Sequence, residues 1–309
     1  MRSPRVLAAA AALLVLLAAA PASAKQIHDT ARGDATLQST TALPGLATGQ
    51  AAEVVASVRL GAPNQRQVAV GVRLGCGPAG LRSTHQVWDG TNRMAGQRPT
   101  VLRVRMLYVA PRAGDYACRL RVTVATHIGV RGAGIPLGGV TLAATPLAAP
   151  AWTARAVETG HGANVFVPLG SREVRVPLLS WTPTAAGTYA VTADTYLTEC
   201  HRNLLDKFCP QGWHYPRTGR AVTRTRLLVA PERPGPGCSP RSSRPQTVVI
   251  DSLVHHLRVP HRLVVPLDPA CGAWTVSLLA SDPAPGTTAY VVGMRNPYTT
   301  AYAVPVSAP

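Results

Sequence analysis

The chain has few acidic residues, few aromatic residues and no long apolar run beyond its first 24 residues. Among its 309 residues, 14 are Asp or Glu, and aromatic residues make up 5%. So few scattered carboxylates leave little material for a catalytic acid–base pair. A membrane span needs about 20 consecutive apolar residues, and no segment after the leader reaches that length. The sequence therefore favours a soluble protein over an integral membrane protein.

Signatures of common enzymes are missing as well. The sequence contains no G-x-S-x-G, no H-E-x-x-H and no G-x-x-x-x-G-K-[ST], the motifs of serine hydrolases, zinc proteases and phosphate-binding loops. Glu199 and Asp206 lie close in sequence, but two carboxylates in one loop are usually solvated charges. Ser171 has no His neighbour to activate it. We expect no catalytic residues, no cofactor and no enzymatic activity; a secreted hydrolase is the less favoured alternative.

Residues 1–24 have the pattern of a cleaved signal peptide. Arg2 and Arg5 precede an apolar run over residues 6–20, and Ala22-Ser23-Ala24 supplies the small residues of a cleavage site. The apolar run is short for a bilayer span. This predicts cleavage after Ala24, secretion, and a mature chain without a stable membrane span.

The cysteines that follow the leader are even in number, as expected for disulfides in an exported protein. Sequence order makes three pairings simplest: Cys76–Cys118, Cys200–Cys209 and Cys238–Cys271. The alternative is a zinc site formed by Cys200, His201, Cys209 and His214, but their spacing matches no standard zinc pattern.

Three further histidines, His255, His256 and His261, follow one strand-like run. Adjacent strand residues point to opposite faces, so these side chains do not converge on a metal. No metal site is expected from either group of histidines.

The positive charge consists almost entirely of arginine. The formal charge is +17, and the lysines are Lys25 and Lys207. A basic surface attracts nucleic acid, anionic lipid or anionic wall polymers. Arginine-rich, alanine-rich composition is also typical of a GC-rich bacterial genome, so the charge is either functional or compositional. The arginines are spread along the chain and not massed in a tail, which argues against nucleic acid as a partner.

Strand patterns dominate and helix patterns are weak. In residues 100–109 the apolar Leu102, Val104, Met106 and Tyr108 alternate with Arg103 and Arg105. Residues 116–124 repeat this, with Arg119 and Arg121 on the polar face. Period-two alternation is typical of strands with one solvated face. The sequence predicts an all-β fold of antiparallel sheets.

A short turn-and-strand segment recurs three times. Each copy has a Pro shortly before a Gly and an aromatic residue two positions after that Gly. The copies are Ala113-Gly114-Asp115-Tyr116, Ala186-Gly187-Thr188-Tyr189 and Cys271-Gly272-Ala273-Trp274. Their spacing fits tandem β-sandwiches, which take about 100 residues each. Tyr116, Tyr189 and Trp274 are the predicted corner residues.

Two Pro-rich segments, 145–150 and 231–237, are the candidate domain boundaries because proline cannot continue a strand ladder. They divide the mature chain into residues 25–148, residues 149–233 with an insertion at 198–220, and residues 237–309. The last segment is short. It forms either a small third module or an addition that packs on the second module and shares its core.

The segment from Trp181 to Val191, with Pro183, Gly187 and Tyr189, resembles the E–F corner of bacterial immunoglobulin-like and fibronectin-III-like domains. Tyr116, two residues before Cys118, is similar to the tyrosine corner of immunoglobulin domains. The resemblance implies tandem immunoglobulin-like sandwiches, with Tyr116 and Tyr189 fixing the corners. Cys76 lies closer to Cys118 than an inter-sheet bridge usually requires, and Trp88, followed by Asp89-Gly90, is placed in a loop.

The 198–220 insertion is the predicted contact surface. A Cys200–Cys209 bridge would stiffen it, and aromatic and Arg side chains dominate interface energies. Its candidate binding residues are Arg202, Trp213, His214, Tyr215 and Arg217. The alternative is that its aromatics fold back onto their own module. The sequence predicts a secreted, non-enzymatic interaction or structural protein with an unknown protein partner; the alternative is a binder of cell-envelope polyanions or carbohydrates.

Overall fold

The computed structural model describes residues 25–28, 35–64, 67–125, 134–147, 156–158, 165–199, 220–251, 256–282, 289–293 and 299–306. Nineteen strands and one 3₁₀ turn, Pro269–Cys271, make up the regular structure of these residues. No helix in these ranges is long and apolar enough to cross a bilayer. The predicted all-β class with antiparallel sheets is confirmed.

The first eight strands form the N-terminal unit, two four-stranded antiparallel sheets. One sheet has the order β1-β8-β3-β6 and the other the order β2-β7-β4-β5. The strands are β1 (Lys25–His28), β2 (Ala35–Leu46), β3 (Ala51–Leu60), β4 (Gln67–Pro78), β5 (His85–Met94), β6 (Thr100–Val109), β7 (Gly114–Ala125) and β8 (Gly134–Pro146). We call the second of these sheets the groove sheet.

Alternating apolar residues of the two sheets enclose one core. Every second residue is buried on β7 from Tyr116 to Val124 and on β4 from Val68 to Leu74. Buried residues that meet in this core include Val54, Val58, Val70, Val72, Val104, Leu120 and Val122. Burying such side chains contributes roughly 1.5–3 kcal/mol each, so the period-two pattern fixes which face of each strand turns inward.

The remaining strands form the C-terminal unit, again two sheets around one core. Its strands are β9 (Ala156–Glu158), β10 (Val165–Pro168), β11 (Val174–Trp181), β12 (Gly187–Glu199), β13 (Arg220–Pro231), β14 (Arg241–Ser242), β15 (Gln246–Asp251), β16 (His256–Leu267), β17 (Trp274–Ser281), β18 (Ala289–Gly293) and β19 (Thr300–Pro305). One sheet has the order β10-β18-β12-β19-β9, with β16 also paired to β12. The other has the order β11-β17-β13-β14, with β15 also paired to β13.

Strands on both sides of the Pro-rich segment 231–237 belong to the same sheets. β17 lies between β11 and β13, and β12 pairs with β16, β18 and β19. Strands from residues 237–309 thus pair directly with β11, β12 and β13 of the preceding segment. A period-two pattern is the same whether a strand belongs to a separate sheet or joins a sheet formed by earlier strands of the chain.

The three repeated segments form similar corners. The buried Tyr116 donates its hydroxyl to the carbonyl of Arg112 at 2.6 Å, and Tyr189 donates to the carbonyl of Ala185 at 3.0 Å. The Trp274 indole donates to the carbonyl of Asp268 at 3.0 Å. Each ring is buried beneath the bend. The polar atom of the same ring donates a hydrogen bond to a backbone carbonyl of that bend.

Removing a corner hydroxyl should destabilise its unit. We expect Tyr116→Phe and Tyr189→Phe each to lower the free energy of unfolding by about 1 kcal/mol, because each leaves a backbone carbonyl without its donor. The two corners lie in different cores, so the double variant should show the sum. Chemical unfolding followed by circular dichroism measures this; no change in either variant would show that these hydrogen bonds do not stabilise the corners.

Two of the three proposed disulfides lie within the described residues and are present, Cys76–Cys118 and Cys238–Cys271. Cys200 and Cys209 lie outside those residues. Cys76 and Cys118 are directly paired on β4 and β7, so their bridge links neighbouring strands of one sheet. The inter-sheet bridge of immunoglobulin domains is therefore not reproduced, which explains the short spacing of these cysteines.

The two units pack against each other through an interface that has both a charged and an apolar part. Strands β5 and β6 of the N-terminal unit contact β16 and β19 of the C-terminal unit. Five charged or titratable side chains, which we call the interface network, meet there: Asp89, Arg105, Asp194, Arg258 and His261.

Two of the ion pairs within the network, Arg105–Asp194 and Arg258–Asp89, cross from one unit to the other, whereas Arg258–Asp194 lies within the C-terminal unit. Arg105 donates two hydrogen bonds to the Asp194 carboxylate. Arg258 lies 3.5 Å from Asp89 and 3.4 Å from Asp194, measured from guanidinium nitrogen to carboxylate oxygen. It also donates to the carbonyl of Trp88. Asp89, Asp194 and His261 are each at most 2% exposed.

The predicted solvated face of β6 is present at Arg103, which is exposed, but not at Arg105. Asp194 of the other unit covers the face at Arg105, and Leu107 beside it is buried against Tyr302. Sequence periodicity shows which residues share a strand face and does not show what covers it.

Candidate functional site

The outer face of the groove sheet carries rows of polar side chains from four strands. Its β4 and β7 positions alternate with the buried core residues, so their side chains point away from the core. Strand register sets two neighbouring rows, which read from β2 to β5 as Gln38, Arg121, Arg73, Trp88 and as Thr40, Arg119, Gly75, Gln86. Directly opposed side chains have Cβ atoms about 5 Å apart, so the arginines lie close together.

These rows line a depression of about 620 Å³, which we call the arginine groove. Its lining residues are Gln38, Arg73, Gly75, Arg82, Ser83, Gln86, Arg119, Leu120 and Arg121. A smaller depression of about 230 Å³ adjoins it and shares Arg73 and Arg121; Trp88 and Thr123 also line it. Neither set of lining residues contains an Asp or Glu.

Arg73 is held in place at the boundary between the two depressions. Its Nε donates to the Gln86 side-chain oxygen, and its guanidinium lies 4.8 Å from the centre of the Trp88 ring. A guanidinium over an indole face is stabilised by the ring quadrupole. A side chain already fixed by such contacts loses less entropy when it binds a ligand.

The segment 79–84 forms one wall of the groove. Its approach depends on two glycines of β4: a Cβ on Gly77 would lie 2.6 Å from the Arg82 carbonyl oxygen, and one on Gly75 would lie 2.8 Å from Ser83. Thr84 donates its amide to the Cys76 carbonyl at 2.9 Å, and Arg119 donates to the carbonyl of Leu81. The wall is therefore hydrogen-bonded to β4 through Thr84 and to β7 through Leu81.

The electrostatics of the groove favour an anion. Burial and, second, the charge of Arg121 lower the pKa of the Arg73 guanidinium. Both effects destabilise the charged form of Arg73, because its charge is partly removed from water and lies near a second positive charge. A bound anion would reduce that destabilisation, and arginine binds phosphate and carboxylate through paired hydrogen bonds.

None of the groove arginines stands among the residues proposed from sequence. The proposed ones, Arg202, Trp213, His214, Tyr215 and Arg217, lie outside the described residues, as does His255. Alternation on β7 did place Arg119 and Arg121 on one polar face. Predicting that Arg73 lies beside them requires the register of β4 against β7, and no local sequence pattern indicates that register. Asp89-Gly90 predicts a loop at Trp88, but Trp88 lies within β5.

Two other histidines named in the sequence analysis, His256 and His261, have partners within the protein. His256 contacts the Thr198 hydroxyl at 2.9 Å and stacks on Tyr196, and His261 contacts the Gln246 side chain at 3.2 Å. Within the described ranges no three His, Cys, Asp or Glu side chains come together in a way that could hold a metal.

No protein-family model and no curated protein matches the chain. Among solved structures, it is similar to the tandem CBM22-1–CBM22-2 domains of Xyn10C from Paenibacillus barcinonensis, with 10% identity, 92% of this chain and 87% of the other covered, and a TM-score of 0.26. The infectious bursal disease virus T13 particle gives 8% identity, 92% and 74% coverage and a TM-score of 0.27. Superpositions this loose reveal nothing about the ligand of this chain.

Proposed function

We propose that this chain is a non-enzymatic protein that acts outside the cell and binds an anionic polymer of the cell envelope through the arginine groove. The observation that carries the proposal is the groove lining, in which Arg73, Arg82, Arg119 and Arg121 meet and no carboxylate is present. The signal-peptide pattern and the disulfides, which persist in oxidising compartments, support the location.

The groove suits a binding module better than an enzyme. Its lining contains arginines, neutral polar groups and an aromatic ring, but no His, Asp or Glu that could serve as a general base at neutral pH. Sandwich units of immunoglobulin-like type, the finer fold assignment that we propose, serve many functions, so the assignment rests on the groove itself.

Binding of the full chain to long-chain inorganic polyphosphate tests the proposal. We expect Arg73→Gln and Arg121→Gln each to weaken binding about tenfold, because each removes a charge-assisted contact. The matched control is Arg103→Gln, which removes an exposed arginine of β6 that lines neither depression. Isothermal titration calorimetry gives the affinities. Equal losses for all three variants would show that binding follows overall charge, and the proposal would then be wrong.

A further inference from the structure

The two depressions around Arg73 indicate what kind of anionic polymer the groove takes. They are separate spaces of about 620 and 230 Å³ that share Arg73 and Arg121. A single small anion would occupy one of them. A chain with repeated anionic groups would occupy both while sharing the central arginine pair.

The arginines of the groove are arranged along the sheet surface as well as across it. Arg119 and Arg121 are two residues apart on β7, which places them roughly 7 Å apart along the strand. Arg73 lies across from Arg121, and Arg82 lies on the wall segment. Anionic groups separated by a few neutral bonds match this arrangement better than phosphates joined directly to one another.

Neutral hydrogen-bonding side chains flank the arginines. Gln38, Ser83 and Gln86 line the larger depression, and Thr123 lines the smaller one. Amide and hydroxyl groups donate to and accept from hydroxyls. A ligand with hydroxyl groups between its charges would form hydrogen bonds with these side chains. A chain of directly joined phosphates would offer these side chains only anionic oxygens, which accept hydrogen bonds but do not donate them.

The aromatic content of the groove argues against bases and against flat sugar stacking. Trp88 is the aromatic residue among the lining side chains of the two depressions, and the Arg73 guanidinium covers a face of its ring. Proteins that bind single-stranded nucleic acid offer aromatic faces to successive bases. Because Arg73 covers a face of the Trp88 ring, the lining of the two depressions does not offer a series of aromatic faces to successive bases.

We propose that the ligand of the arginine groove is a polymer of polyol units joined by phosphodiesters, with at least two adjacent phosphates engaged at once. This deepens the proposed function and rests on it. The phosphates pair with Arg73, Arg119 and Arg121, and the intervening hydroxyls contact Gln38 and Ser83.

A ligand series with the full chain tests this class. The probes are glycerol 3-phosphate, synthetic glycerol phosphate oligomers, polyphosphate and single-stranded oligonucleotides matched in phosphate number, and oligogalacturonate matched in charge. We expect the glycerol phosphate oligomer to bind at least tenfold more tightly than its monomer, because further contacts become intramolecular. It should also bind more tightly than the oligonucleotide and the oligogalacturonate.

Two substitutions separate hydroxyl recognition from charge. We expect Gln38→Ala and Ser83→Ala each to weaken binding of the glycerol phosphate oligomer about threefold, a typical loss for one neutral hydrogen bond, and to leave polyphosphate binding unchanged. Tighter binding of oligogalacturonate or the oligonucleotide, or equal effects of these substitutions on polyphosphate, would overturn the ligand class and leave anion binding intact. Binding of none of the polymers would refute both the class and the proposed function.

Discussion

Replacing Arg258 by Met should lower the free energy of unfolding by about 3–5 kcal/mol, the usual cost of leaving buried charges without their partner. Arg258 lies between Asp89 and Asp194, and both carboxylates are almost fully buried. Arg105 would still pair with Asp194. Asp89, which has no other ion pair among the described residues, would lose its counter-charge.

A second variant and a control separate charge from packing. Asp89→Asn combined with Arg258→Met removes one charge of each sign, so it should recover at least half of the loss. Arg226→Met breaks an ion pair with Glu173 at 2.9 Å in which both side chains are at least one-third exposed, and such pairs contribute about 1 kcal/mol or less. Urea unfolding followed by circular dichroism gives the three values. If Arg258→Met cost no more than Arg226→Met, the interface network would not be holding its charges out of water.

The second large effect is a pair of opposite pH dependences that cancel in the native protein. Burial raises the pKa of Asp89 from 3.8 to about 6, against the opposing charge of Arg258. Burial lowers the pKa of His261 from 6.5 to about 4, against the opposing charge of Asp194. Among the described residues, Arg105, Glu53, Tyr302 and Tyr196 are further charged or titratable groups that the surrounding strands bring to this interface.

The two groups act on stability in opposite directions. Asp89 keeps its proton in the folded chain up to about pH 6, so its contribution is complete below 3.8 and is lost as pH rises through 6. His261 stays neutral in the folded chain down to about pH 4, so its contribution is complete above 6.5 and is lost as pH falls through 4. One pKa unit corresponds to about 1.4 kcal/mol, so each contribution amounts to about 3 kcal/mol.

Single substitutions should separate these dependences. Between pH 6.5 and 4, Asp89→Asn should lose about 2 kcal/mol of stability relative to the native chain, because His261 acts alone. Over the same range His261→Gln should gain about as much, because Asp89 acts alone. Measuring the difference from the native chain at each pH removes the contributions of all other groups. Parallel curves for the three proteins would show that neither side chain titrates abnormally.

The sequence predicted strands and corners because both depend on local patterns. Alternation on β6 and β7 identifies the inner faces, and the Gly-x-aromatic segments identify bends whose rings turn inward. The Cys76–Cys118 pairing followed from sequence order alone. That it lies within one sheet could not be predicted, since the register of β4 against β7 was unknown.

Features that join distant parts of the chain left no local signal. Arg105 and Asp194 are 89 residues apart, and each looks like an ordinary solvated charge on its own strand. The groove combines residues from β2, β4, β5, β7 and the wall segment, and no one of these stretches is unusually basic. The local pattern favours the 198–220 insertion instead, because aromatic residues and arginines are neighbours along the chain there.

The salt dependence of binding tests most directly whether discrete arginines of the groove hold an anionic polymer. Each phosphate contact releases counterions, so the logarithm of the affinity should fall with the logarithm of salt concentration by about 0.7–0.9 for every contact. For the native chain and a glycerol phosphate oligomer, we expect the slope of log affinity against log salt concentration to correspond to about two to three phosphate contacts. Arg73→Gln or Arg121→Gln should reduce that slope by about one contact, whereas Arg103→Gln should leave it unchanged. A slope that none of these substitutions alters, or that Arg103→Gln alters equally, would contradict the assignment of the groove as the binding site.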